Sequence, residues 1–262
     1  MTEIKSDIAI AAATVVLMRE TGGRLELLLV ERAAATAFAG GAMVFPGGRV
    51  DPGDHAVAAD AVLAIGAGGL DPTDAAARVA AARETFEEAN VLLSDGPLLA
   101  DADRAAWRAR LNADTASYGD FLRAAGHTID LARLTPFTRW VPPVAAKLAR
   151  RFDTLFYIAE LPPGEAVTPD GREAVAAHWL TAADAVARAG RNEISLLFPT
   201  RRNLERLAQY PSLAALLARL AELPITLIQP EIILRDGAPW LTIPTGCDYP
   251  VTEEAAGAVR RE

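Results

Sequence analysis

One cysteine, Cys247, and three histidines, His55, His127 and His178, are all the Cys and His side chains in 262 residues. A lone cysteine closes no internal disulfide, and the histidines are scattered, so a disulfide scaffold and a Cys/His zinc module are both excluded. Basic residues are in deficit as well: Lys+Arg number 26 against Asp+Glu 34, a formal charge of −8. A general nucleic-acid binder needs a basic footprint that this balance does not supply. A phosphorylated small molecule stays compatible, since a few local cations or a bound metal reverse the field within one cleft. The longest early apolar run, Ile8 to Met18, is too short to span a bilayer. Glu3 and Asp7 flank Lys5, which argues against a basic signal-peptide leader, and Val259-Arg260-Arg261-Glu262 is no address of the Ser-Lys-Leu type. The expectation is a cytoplasmic protein with neither membrane nor nucleic acid as partner.

What is present suits a globular core: hydrophobic residues make up 51% of the chain and charged residues 23%. Ala11 to Arg19 and Leu25 to Glu31 form a predicted hairpin across Thr21-Gly22-Gly23-Arg24. Met43 to Phe45 reads as a short strand feeding a tight glycine loop. Residues 55–71 read as an alanine-rich helix ending at Gly66, Gly68 and Gly69. A second helix starts with Asp71 as N-cap and Pro72 in the first turn, and runs to about Ala89. Asn90 stands where a left-handed cap is wanted. Residues 101–126 read as two helices with Trp107, Leu111, Phe121 and Leu122 inward. Strands are expected at Thr135–Val141, Asp153–Glu160 and Ala174–Leu180. Helices are expected at Thr181–Ala189 and Glu193–Leu220, the latter broken at Tyr210-Pro211. A last hairpin turns on Asp236-Gly237. No internal repeat or long linker divides the chain, so residues 1–262 read as one α/β domain.

The chemistry concentrates in Arg83-Glu84-Thr85-Phe86-Glu87-Glu88. On a 3.6-residue period Val79, Ala82, Phe86 and Ala89 share a buried face, and Glu84, Glu87 and Glu88 cluster on another. Arg83 lies four residues before Glu87 and can brace it. A solvated acidic stripe is the plain alternative, but it has a cost. Like charges at this spacing repel by roughly 0.2–0.5 kcal/mol each, and acids near a helix C-terminus oppose the macrodipole. A cation is therefore expected against them, and Mg²⁺ suits carboxylates whose shell is completed by water and phosphate.

Upstream stands Phe45-Pro46-Gly47-Gly48-Arg49-Val50-Asp51-Pro52-Gly53-Asp54. Together with the acidic helix it resembles the Nudix box: Gly, five residues, Glu, seven residues, then Arg-Glu-U-x-Glu-Glu-x-Gly-U, with U aliphatic. Gly48 and Asp54 keep the first spacing with Asp for Glu; Arg83, Glu84, Thr85, Glu87, Glu88 and Val91 match the second part. Asn90 replaces the family's glycine. Between Asp54 and Arg83 lie 28 residues (55–82) rather than seven, so the box carries an insertion. An interrupted box after Phe-Pro-Gly-Gly is similar to the coenzyme A diphosphatase subgroup. Arg151 to Tyr157, Glu173 to Leu180 and Phe198-Pro199-Thr200 extend the likeness over roughly residues 10–250.

The resemblance implies a Nudix-type α/β/α sandwich with a mixed central sheet, a helical insertion at 55–71 and a C-terminal helical extension at 192–262. It implies metal-dependent hydrolysis of a phosphoanhydride, with coenzyme A or acyl-coenzyme A as substrate and 3′,5′-ADP and (acyl-)4′-phosphopantetheine as products. ADP-ribose or a nucleotide sugar is the rival substrate, and a non-catalytic nucleotide-binding module is the rival of another class. Glu84, Glu87 and Glu88 would hold Mg²⁺ or Mn²⁺, with Glu84 also a candidate general base and Arg83 orienting a carboxylate. Gly47 and Gly48 would shape the loop that positions the helix, and Glu173 is the candidate for a further carboxylate from a later loop. Within the basic cluster Lys147, Arg150 and Arg151, Arg151 is the candidate phosphate contact, beside Arg32 and Arg49. The role of Asp54 and the oligomeric state, a homodimer being one option, stay open.

Overall fold

Strand β1 (Ile10–Thr21) sits mid-sheet because both its faces are apolar: Val15, Val16, Leu17 and Met18 are all fully buried. The computed structural model describes residues 9–34, 40–143 and 150–256. β1 turns through Gly22 and Gly23, both at positive φ, into β2 (Arg24–Arg32). Next come β3 (Ala42–Val44), β4 (Gly47–Arg49), α1 (Pro52–Ala58), β5 (Ala64–Ile65) and α2 (Pro72–Ala89). They are followed by α3 (Asp101–Asn112), α4 (Tyr118–Ala125), β6 (Ile129–Asp130), β7 (Thr135–Trp140), β8 (Phe152–Glu160) and β9 (Ala174–Leu180). The remainder is α5 (Ala182–Gly190), β10 (Ser195–Leu196), α6 (Phe198–Leu207), α7 (Leu213–Glu222), β11 (Leu227–Ile228), β12 (Glu231–Arg235), β13 (Ala238–Thr242) and β14 (Glu253–Ala255).

The main sheet is mixed, in the order β10-β3-β2-β1-β8-β7-β11, with β4 pairing on β1 and β9 on β2. β1 and β8 run parallel, whereas β1 and β2 are antiparallel. Alternation along the strands sorts two cores. Val15, Leu17, Leu28 and Val30 face α2 and α4, where Phe86 stacks on Phe121. Val16, Met18, Leu27 and Leu29 face α5, α6 and α7. Helices therefore cover both faces, as the α/β/α expectation requires. Tyr249, beyond the terminal hairpin, binds Thr138 and Trp140 of β7 and Asn203 of α6 through its hydroxyl, which fastens the C-terminal extension to the sheet. Among the described residues no helix is long and apolar enough to cross a membrane.

Three expectations need correction. The helix expected at 55–71 is shorter and earlier: it opens at Pro52, which suits a first turn, and stops at Ala58. Asp60 then accepts from the Val62 amide, and Gly66 and Gly69 take positive φ, which no helix uses. The helix expected from Glu193 starts only at Phe198, because Ser195–Leu196 pair in parallel with β3 and Pro199 belongs in a first turn. Gly47 and Gly48 form a strand rather than a loop, paired antiparallel with Ala13 and Thr14 of β1.

Candidate active site

Helix α2 begins and ends as its sequence dictates. The Asp71 side chain accepts from the Thr73 amide at 2.8 Å, Pro72 occupies the first turn, and Asn90 closes the helix at φ 62°, ψ 25°. Between these caps the helix is enclosed by the sheet on one side and by α1 and α3 on others, so its acidic side chains are not a solvated stripe. Glu88 is only 6% exposed.

Glu84 and Glu88, one turn apart, are pressed against β4. A Cβ on Gly48 would fall 2.3 Å from Glu84 Oε1, and one on Gly47 would fall 2.4 Å from the Ala13 carbonyl oxygen. Gly48 thus makes room for the Glu84 carboxylate, and Gly47 makes room for β1. The Gly47 amide donates to Glu88 Oε2 at 3.2 Å.

Arg83 organises the other side, and the structure supplies a role for Asp54. Asp54 is 1% exposed, and its carboxylate receives Arg83 Nε at 2.9 Å and Nη2 at 3.0 Å, a bidentate pair. The same carboxylate accepts the Asp51 amide at 2.8 Å and so fixes the start of α1. The two halves of the interrupted box therefore meet in space, and residues 55–82 leave and return between them. Arg83 Nη1 donates to Glu84 Oε1 at 2.8 Å, and Nη2 donates to the Arg49 carbonyl at 2.8 Å. The expected brace to Glu87 is the longest of these contacts, at 3.4 Å.

Burial is the first cause of every carboxylate shift here. It raises Glu84 above its ordinary range against the opposing charge of Arg83, with Asp54 and Glu173 adding to the rise. It pushes Glu87 up to about 7, again against Arg83. Glu88 rises well above the usual range: burial and the Glu84 charge outweigh the Gly47 amide and Arg32, and Glu173 pushes it further. These three oxygen-donor groups lack sufficient countercharge, which suits a hard divalent cation. Among the described residues no three such side chains form a ready-made cage.

The remaining candidates divide. Arg32, at the end of β2, and Glu173, entering β9, lie within electrostatic reach of Glu88, and the Ala33 amide donates to the Glu173 carbonyl at 2.9 Å. Arg49 has an exposed side chain 3.4 Å from Asp51. Arg151 donates to the Pro142 carbonyl at 3.0 and 3.2 Å. Lys147 lies outside the described residues.

Two arginines escaped the sequence reading. In α3, Arg104, Trp107, Arg108 and Leu111 recur at the spacing of an inward face, and Arg108 Nε donates to the Glu87 carbonyl at 2.7 Å. Charged residues at inward positions of a helix were the available signal.

Comparison with known proteins shows what the chain is similar to. The family model described as the NUDT19 Nudix domain matches residues 66–207, more than half of the chain. The acyl-coenzyme A diphosphatase NUDT19 of Gallus gallus is 30% identical over 237 residues, covering 72% of this chain and 62% of that protein. Its counterpart from Homo sapiens is 31% identical over 236 residues, with the same coverage. The chain thus spans about 62% of the length of these curated relatives. Among solved structures, a NUDIX hydrolase from Alicyclobacillus acidocaldarius is 28% identical with a TM-score of 0.70, covering 84% of this chain and 98% of that one.

Proposed function

The chain belongs to the Nudix family, and on that premise we propose that it hydrolyses the phosphoanhydride of a nucleoside diphosphate derivative. Coenzyme A or acyl-coenzyme A is the substrate we favour, giving 3′,5′-ADP and (acyl-)4′-phosphopantetheine. The observation that carries the reading is the pair Glu84 and Glu88, buried against Gly47-Gly48 without enough positive charge to balance them. The substrate choice is supported by the relatives, which are named acyl-coenzyme A diphosphatases.

Glu84, Glu87 and Glu88 would hold Mg²⁺ or Mn²⁺. When bound, such a cation neutralises the diphosphate and activates water for in-line attack on phosphorus. Arg83 keeps Glu84 Oε1 occupied, which leaves Oε2 to take a proton from the attacking water. The Gly47 amide holds Glu88 Oε2 in place, and Asp54 holds the Arg83 guanidinium. Glu173 serves as the additional carboxylate. Arg32, Arg49 and Arg151 are the cations we assign to substrate phosphates, including the 3′-phosphate of coenzyme A.

A substrate panel tests this. Coenzyme A, an acyl-coenzyme A, 3′-dephospho-coenzyme A, ADP-ribose and a nucleotide sugar are compared at equal concentration with Mg²⁺ or Mn²⁺. Release of 3′,5′-ADP from the coenzyme A substrates at the highest kcat/KM is the expected result. Preference for ADP-ribose or the sugar would move the substrate assignment, and inertness toward all five would make the chain a binding module.

A further inference from the structure

We propose that Arg108 is a positioning residue for the acidic centre: from α3 it holds the last turn of α2, and with it Glu87 and Glu88, in register with the segment that presents Glu173. The inference rests on the reading of those carboxylates as cation ligands. It starts from a helix end. Carbonyls in the last turn of a helix lack intrahelical donors and must find others. In α2 the Glu87 carbonyl takes Arg108 Nε at 2.7 Å, the Ala89 carbonyl takes the Thr168 amide at 2.9 Å, and the Asn90 carbonyl takes Arg104 Nη2 at 2.5 Å. Positive charge also arrives where the macrodipole is negative and where the glutamates have made it more so.

The same two arginines reach the segment before β9. Arg104 pairs with Glu165 at 2.6 Å, and Glu165 in turn accepts the Leu92 amide at 2.9 Å. Arg108 lies within electrostatic reach of Asp170, Glu88 and Glu87. The Asp170 carboxylate accepts the amides of Glu173 at 3.1 Å and Ala174 at 2.7 Å, closing the turn that carries Glu173. α3 is itself anchored from its apolar side, where Trp107 packs edge-on against Phe121.

Fold stability alone does not account for Arg108. Its Nη2 is buried with no hydrogen-bond partner, so contacts within the fold do not fully repay its desolvation. A methionine there should leave the fold intact while freeing the Glu87 carbonyl.

The test compares the full-length native chain with R108M and R108K by Mn²⁺ titration without substrate, by steady-state kinetics and by thermal unfolding. R108M should bind Mn²⁺ about tenfold more weakly and lose roughly 10–100-fold in kcat, as for groups that orient ligands, with KM within about twofold and Tm lowered only by the modest cost of one freed carbonyl. R108K, which can still donate to the Glu87 carbonyl, should recover part of both losses. Mn²⁺ binding in R108M as tight as native or tighter means that Arg108 is only a repelling charge, and overturns the proposal. A raised KM at native kcat makes Arg108 a substrate contact, and a Tm lowered so far that the lost kcat only reflects unfolded protein, without rescue by lysine, makes it structural; either also overturns it. A native chain that neither binds Mn²⁺ nor cleaves any substrate removes the reading beneath it, which is distinct from a native chain that does both while R108M matches it.

Discussion

At the scale of single residues, the site is a balance between burial and charge. Glu88 touches a backbone amide and little solvent, so its carboxylate is held by geometry that glutamine can mimic without the charge. Glu88→Gln is expected to fold with native Tm and to lose more than about 100-fold in kcat, beyond the typical cost of losing an orienting group. Steady-state kinetics with a melting curve checks both. A second prediction follows from Glu87, whose carboxyl burial pushes from 4.5 to about 7. The folded metal-free protein then holds a proton that the unfolded chain gives up between those values, so its stability falls as pH rises through about 7. Added Mn²⁺ should abolish that fall, which melting curves from pH 5 to 8 with and without metal will show. Legibility was uneven at this scale. The three glutamates and Arg83 were visible because a repeated charge at helical spacing has an electrostatic cost. The role of Asp54 was not, because its partner lies 29 positions away (55–82 intervening) and only folding brings the two together. Arg108 was missed because its inward helical position was the only mark it left, and its partner, the Glu87 backbone carbonyl, leaves none in the sequence.

Among elements, α2 was the most legible, since its caps are local chemistry. Asn90 adopts the left-handed conformation that the family's glycine takes at no cost. Asn90→Gly should therefore lie within about 0.5 kcal/mol of native, while Asn90→Ala should cost roughly 1–2 kcal/mol, by chemical denaturation. Short elements were hidden. β4 has three residues, two of them glycine, so neither propensity nor alternation could announce a strand; pairing with β1 decides it. β10, with two residues, was absorbed into a helix expectation for the same reason. α1 owes its length to Pro52 and to Asp54, which receives the Asp51 amide and Arg83 together. Asp54→Asn leaves the Arg83 guanidinium paired with Glu84 but without its bidentate partner and should destabilise by about 1–3 kcal/mol. Equilibrium unfolding in urea measures it, and an effect below about 1 kcal/mol would contradict the assigned role.

For the whole molecule, the sheet works as a partition. One face carries the acidic helix with α1, α3 and α4 around it, and the other carries α5, α6 and α7. The fold class was legible through the interrupted box, whose resemblance implied helices on both faces of a mixed sheet; β1, apolar on both sides, is the physical reason they are needed. The strand order was not, since long-range pairing such as β1 with β8 leaves no local trace. This partition encloses Glu84 and Glu88 between the main sheet and the surrounding helices, and the central claim is that these carboxylates gather a divalent cation. Crystals soaked in Mn²⁺ and measured at its absorption edge test that claim directly. An anomalous peak in contact with Glu84 and Glu88 beside Gly47-Gly48, lost in Glu88→Gln, is the predicted result; a peak elsewhere, or none there in crystals of protein that still hydrolyses coenzyme A, would contradict it.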